Sequence, residues 1–211
     1  MFPTQQRSFL KKPVNLDISY RCPLQCPTCH RQTGWYNRHR HKFDDMSVED
    51  LKKFIDGGFK HLEFSGQQSD PMSHPNIIEF ISLCHSIRLD IHTATSHRKK
   101  DFYEKAFHNS GIKTKWIFGL DGLPKESHKH RINQNGVYIY EMMKLGARMG
   151  IDIIWQYIVF NYNQDHIEQA KKMSEDDGIE FKLSFSDRWK VVPTAHGTDA
   201  SDLKPREEYC A

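Results

Sequence analysis

Val137 to Phe160 reads VYIYEMMKLGARMGIDIIWQYIVF, and this stretch decides the fold class. Its first part, Val137 to Met149, carries apolar residues at helical spacing. Gly150 stops that helix, because a residue without a Cβ tolerates the left-handed conformation past a helix end. Asp152 to Phe160, rich in Ile, Trp, Tyr and Phe, then reads as a strand. The same helix, glycine and strand order recurs at Gly58-Phe59, Gly111-Ile112 and Gly178-Ile179. Further strands are expected at Val14 to Tyr20, His61 to Ser65, Arg88 to Thr93, Lys115 to Leu120 and Glu180 to Phe185, six in all. The intervening helices begin at Ser47, with Asp50 in the capping-box position and Leu51, Phe54 and Ile55 on the apolar face, then cover Asn76 to Ile87, Phe102 to His108 and Asp165 to Asp176. Alternation of this kind means an α/β fold with a parallel sheet, either doubly wound or a barrel. In both, ligands bind at the C-terminal ends of the strands.

The 211 residues fit a single domain: an N-terminal extension over 1–13, a core over 14–192 and a tail over 193–211 with little periodicity. Thirteen Phe, eight Tyr and four Trp supply bulk for a packed interior, which excludes wholesale disorder. The longest apolar run is broken by Asp152 and Gln156 and falls short of the roughly 20 residues a membrane helix needs, so no membrane span is expected. Basic residues in Met1 to Lys12 are not followed by an apolar stretch, and a cytoplasmic protein is the expectation. A net charge of +3 is too small to indicate nucleic acid by itself.

The strand ends carry the chemistry. After the first comes Arg21-Cys22-Pro23-Leu24-Gln25-Cys26-Pro27-Thr28-Cys29-His30, and after the second Gly66-Gln67-Gln68-Ser69-Asp70-Pro71. The others offer Thr93 and Thr95, Asp121, Asn161 and Asn163, and Ser186 and Arg188. Three of the five cysteines lie within eight residues, which suits a metal or redox site and not a disulfide framework. Pro23 and Pro27 keep the loop from becoming a regular helix. Three thiolates can hold three irons of a [4Fe-4S] cluster and leave the fourth open to a small molecule. The bland alternative is a zinc knot completed by His30 or a distant residue, but no second ligand knuckle is visible. Cys84 falls on the apolar stripe of its helix and reads as core, as do Trp116, Phe118 and Trp155 in their strands.

Cys22-x3-Cys26-x2-Cys29 directly after a first strand resembles the signature of the radical S-adenosylmethionine (SAM) enzymes. The likeness continues along nearly the whole chain. Phe64 to Pro71 stands where the family has Gly-Gly-Glu-Pro, with Ser69 for the second Gly and Asp70 for Glu; Ile91 to Thr95 resembles its Thr-Asn-Gly segment and Gly119 to Gly122 its Ser-Ile-Asp-Gly segment. Arg131 occupies the place of an Arg common in the branch that modifies peptides and proteins. The resemblance implies a partial (β/α)6 TIM-like barrel with outer helices, a [4Fe-4S] cluster on Cys22, Cys26 and Cys29, and SAM bound at the open iron. It implies reductive cleavage of SAM to a 5′-deoxyadenosyl radical that abstracts hydrogen from a substrate. Ser69, Asp70 and Pro71 would serve the methionyl amino group, Thr93 and Asp121 the ribose or methionyl part, and Arg131 the carboxylate. An external low-potential electron donor is implied, with a peptide or protein side chain as substrate and a nucleotide or RNA as runner-up, the latter on the basic runs at Arg38 to Lys42, His97 to Lys100 and His128 to Arg131. A non-catalytic iron-sulfur or zinc module is the alternative from another class. Two residues depart from the family: Thr28 stands where an aromatic near the adenine is usual, and Gly119 where a Ser is usual. Cys210 is expected to be a free thiol, the alternative being that it belongs to a truncated auxiliary-cluster region of the kind the resemblance implies for some relatives.

Overall fold

The computed structural model describes residues 10, 12–29, 31, 43–66, 69–186 and 203–210. Six strands form one sheet: β1 Val14–Leu16, β2 His61–Phe64, β3 Arg88–Thr93, β4 Thr114–Gly119, β5 Asp152–Ile158 and β6 Glu180–Ser184. Every pairing is parallel, and the spatial order equals the chain order. That order settles what periodicity left open. A doubly wound sheet needs a point where the strand order reverses. Without a reversal, crossovers of a single hand put all helices on one face, and the sheet curls around the other as a partial (β/α)6 barrel.

Among the described residues the α-helices are α1 Val48–Asp56, α2 Ile77–Leu83, α3 Lys100–His108, α4 Gly136–Arg148 and α5 Ile167–Asp176. Ser47 caps α1 by accepting the Asp50 N–H at 3.1 Å. Alternate strand residues, among them Phe64, Ile91, Trp116, Phe118, Trp155 and Tyr157, join the helix-side core, with Cys84 fully buried among them. Burial pushes the Cys84 thiol up to about 12, in keeping with an inert packing role. Among the described residues no helix is long and apolar enough to cross a membrane.

Two strands and one helix are shorter than their residue types suggest. β1 pairs only as far as Leu16, because its partner register ends at Phe64. Beyond it, Ile18 gives its carbonyl to the Met46 N–H at 2.9 Å, so the chain is held by a loop. β5 stops at Ile158, and the Val159 N–H goes to the Ser184 carbonyl. α2 stops at Leu83 and a turn over Cys84 brings Ile87 into line for β3.

The glycine stops divide. Gly58, Gly150 and Gly178 have φ of 90°, 76° and 68°, the left-handed geometry a helix end uses. Gly111 has no positive φ and is small for another reason: a Cβ there would land on the His85 carbonyl. Residues 203–210 return to the domain, where the Asn161 N–H donates to Leu203 O and Tyr209 packs against the core.

Candidate functional site

Cys22, Cys26 and Cys29 are half-buried and form no disulfide. They line one cavity of about 420 Å³ together with Ser69, Asp70, Thr93, Gly119, His130 and Arg131. The cavity lies at the C-terminal ends of the first five strands, where the parallel topology leaves loops to converge. The cysteine loop turns tightly, with the Cys29 N–H on the Cys26 carbonyl at 3.1 Å, and is otherwise held from outside. The Asp70 N–H donates to Arg21 O at 2.9 Å, tying it to the loop after β2. The segment after β4 holds its other side through Gln25 N–H to Ile132 O at 3.1 Å, Asn133 Nδ2 to Pro23 O at 3.2 Å, and Thr28 Oγ1 to His130 Nε2 at 3.2 Å.

The donor set fits an iron-sulfur cluster better than zinc. Three thiols face one space, and both nitrogens of the nearby His130 are engaged by Thr28 and Asp121. His30, the other zinc-ligand candidate, lies outside the described residues, as do Gln67, Gln68, Arg188 and the run from Arg38 to Lys42. Burial, and then the Asp70 carboxylate, push the free Cys22 thiol up to about 12, so a thiolate there calls for a cationic partner. Ser65 Oγ is buried on the cavity wall without a hydrogen-bond partner, which fits a polar guest.

The two acidic candidates are each held by several bonds within the protein. Asp70 Oδ1 accepts from Met72 N at 3.0 Å, Thr93 Oγ1 at 2.9 Å and Thr95 Oγ1 at 3.2 Å; Oδ2 accepts from Ala94 N at 2.9 Å and Thr93 Oγ1 at 3.0 Å. It thereby caps the short turn Pro71–Ser73 and joins the ends of β2 and β3. Burial raises the Asp70 carboxyl, against the pull of these donors. Pro71 opens that turn, buried and away from the cavity lining, while Ser69 lines the cavity and donates Oγ to Asp17 at 3.0 Å.

Asp121, fully buried after β4, stands behind the cavity wall. Its Oδ2 meets Arg131 Nε at 2.9 Å and His130 Nδ1 at 3.0 Å, and its Oδ1 meets Arg131 Nη2 at 3.3 Å and the Ile158 N–H at 3.2 Å. Arg131 Nε is near but not aligned to donate, so that contact is ionic. Burial alone would raise the Asp121 carboxyl; the Arg131 charge and the His130 bond hold it below the usual carboxylate range. Arg131, conversely, is raised by Asp121 against the effect of burial, with Cys26 adding to the rise. Its guanidinium lies over Gly119, where a Cβ would stand 2.6 Å from Nη2 and 2.9 Å from Cζ. The missing Ser side chain is thus the space that Arg131 fills.

His130 was not singled out in the sequence, although it adjoins Arg131. The cavity floor was missed as well: Asn15, Glu63, His92, Ile117 and Gln156 come from alternate residues on the concave face of β1 to β5. Period-two alternation shows such a face only once the helix-side residues are known. His61, Glu63 and Asp90 approach one another there, yet Arg88 donates Nε and Nη2 to Asp90 at 3.2 and 3.1 Å, which makes the group an ion-pair cluster. The basic runs that can be described have local partners: Arg98 donates to the Met72 and His74 carbonyls, and Lys129 pairs with Glu126 at 3.6 Å.

No protein-family model and no curated protein sequence matches the chain. Solved structures do. Streptococcus suis SuiB bound to S-adenosylmethionine superposes with a TM-score of 0.66 at 14% identity over 93% of this chain and 44% of that one. The same protein bound to its precursor peptide SuiA gives 0.68 at 14%, over 85% and 40%. The anSMEcpe structure with bound AdoMet and the Kp18Cys peptide gives 0.60 at 16%, over 82% and 51%. TYW1 with a lysine-pyruvate adduct gives 0.53 at 13%, over 87% and 70%. All three are radical SAM enzymes, and the chain shares their fold while spanning two fifths to half the length of SuiB and anSMEcpe.

Proposed function

We propose that this chain is a radical SAM enzyme that holds a [4Fe-4S] cluster on Cys22, Cys26 and Cys29, with SAM at the remaining iron, and acts on a peptide or protein. The observation that carries the reading is the one cavity that three cysteine side chains line together with the half-buried guanidinium of Arg131. Bound there, the cluster and SAM would supply reductive cleavage to a 5′-deoxyadenosyl radical that takes hydrogen from the substrate.

The chain's own residues have separable tasks in this reading. Arg131 offers its guanidinium to the SAM carboxylate, and Asp121 and Gly119 keep that group extended, one by charge and one by leaving space. Ser69 Oγ, which donates to Asp17, keeps lone pairs for the methionyl ammonium. Asp70 acts on the same ammonium as a nearby carboxylate while its oxygens fix the loops after β2 and β3; Thr93 serves as one of those fixings. The electron comes from an external low-potential donor. A peptide substrate is favoured because SuiB and anSMEcpe were solved with peptides.

The test is anaerobic reconstitution with iron and sulfide, addition of SAM and dithionite, and chromatographic assay of 5′-deoxyadenosine. Wild type is expected to form it and Cys26→Ala to lose both cluster and product. A bound cluster that yields no 5′-deoxyadenosine would instead identify a non-catalytic iron-sulfur module.

A further inference from the structure

We propose that His130 is a positioning residue that ties the cysteine loop to the Asp121–Arg131 pair and so holds the three thiols and the anion-binding guanidinium at one spacing. It rests on the reading above for what Arg131 binds. His130 is 1% exposed and packs against Phe160 with ring centroids 4.3 Å apart and the rings tilted by 41°, so it acts through its neighbours. The direction of its bonds follows from the partners. A carboxylate only accepts, so Nδ1–H donates to Asp121 Oδ2 at 3.0 Å, and Nε2 is left to meet Thr28 Oγ1 at 3.2 Å. Thr28 is itself buried, between Cys26 and Cys29 in the chain.

The arrangement joins the two departures noted in the sequence. At position 28 a hydroxyl replaces an aromatic ring and finds His130; at position 119 a glycine replaces serine and admits Arg131. Both newcomers are consecutive residues of one segment, and the next two, Ile132 and Asn133, bond the cysteine loop as well. A shift of that segment would therefore move the loop and the guanidinium together.

Four full-length variants test this. The amide nitrogen of Asn overlays Nδ1 of histidine and that of Gln overlays Nε2, so His130→Asn keeps the Asp121 bond and His130→Gln keeps the Thr28 contact. His130→Phe keeps neither, and Thr28→Val removes the hydroxyl at nearly constant shape. In the protein without cluster, ¹⁵N NMR of labelled histidine is expected to show His130 with its proton on Nδ1, and the Nε2 resonance is expected to move in Thr28→Val. In the reconstituted protein, SAM titration is expected to weaken about tenfold in His130→Gln and His130→Phe, as loss of a bond to a charged group predicts. His130→Asn, which keeps the bond to charged Asp121 and loses only the one to Thr28, should weaken binding by about threefold, a partial rescue that a merely space-filling ring would not give. A proton on Nε2 alone, or an Nε2 resonance indifferent to Thr28→Val, overturns the link. Wild-type SAM affinity in His130→Gln and His130→Phe overturns the positioning role. If wild type binds no SAM, the functional reading fails by itself, and the NMR result still decides whether His130 joins the loop to Asp121.

Discussion

Gly119 and Arg131 show how one residue's absence of a side chain becomes another's position. The guanidinium rests on the Gly119 Cα, so Gly119→Ala forces the flexible end of Arg131 aside and leaves backbone in place. Stability should fall by about 1–3 kcal/mol, since the guanidinium can move only by loosening its ion pair with buried Asp121. SAM affinity should fall about tenfold or more, because a charge-assisted contact to the carboxylate is lost. Thermal melting and SAM titration on the same preparation separate the two effects, and unchanged affinity would show that Arg131 does not reach the ligand. The same scale explains why Asp70 and Asp121 were legible as important while the bonds their oxygens make within the protein were not. Carboxylates at strand ends look like ligand contacts, but only the coordinates show that their oxygens are occupied by Met72, Ala94, Thr93 and Thr95, or by His130, Arg131 and Ile158.

At the level of elements, the punctuation between helices and strands has two physical origins under one residue type. Gly150 sits at φ 76° with nothing within 4 Å of a built Cβ, so Gly150→Ala costs only the left-handed conformation, about 1 kcal/mol. Gly111 lies after α3 at ordinary φ, but against the backbone of His85, which cannot swing away as a side chain can. Gly111→Ala should therefore cost more, about 2–3 kcal/mol, by overpacking. Urea unfolding of both variants checks the order; a Gly150→Ala penalty equal to or above that of Gly111→Ala would contradict it. Both glycines stand between a helix and a strand in the sequence, and nothing local distinguishes them, because the His85 carbonyl comes from the end of a different helix.

For the whole molecule, the buried Asp121–Arg131–His130 group predicts how stability depends on pH. Asp121 titrates below its ordinary range in the folded state, so its contribution is present above that range and is lost as pH falls below it. Asp121→Asn should destabilise the domain by roughly 3–5 kcal/mol near neutrality, the cost of breaking a buried ion pair. The gap between the two proteins should narrow as pH drops through the usual carboxylate range, and a gap independent of pH, measured by denaturation at several pH values, would mean that Asp121 is not ionised when folded. Side-chain periodicity and glycine spacing were enough to determine six strands, five helices and the placing of the cysteine loop after β1, because those patterns are local consequences of backbone geometry. The residue spacing of Cys22, Cys26 and Cys29 likewise sufficed to mark the candidate site. Tertiary structure alone decided that the strand order never reverses, that Arg131 fills the place beside Gly119, and that Thr28, His130 and Asp121 form one connection across 102 and 9 residues of chain. Each of these depends on which segments the folded sheet brings side by side, and no local pattern in a single chain encodes that adjacency.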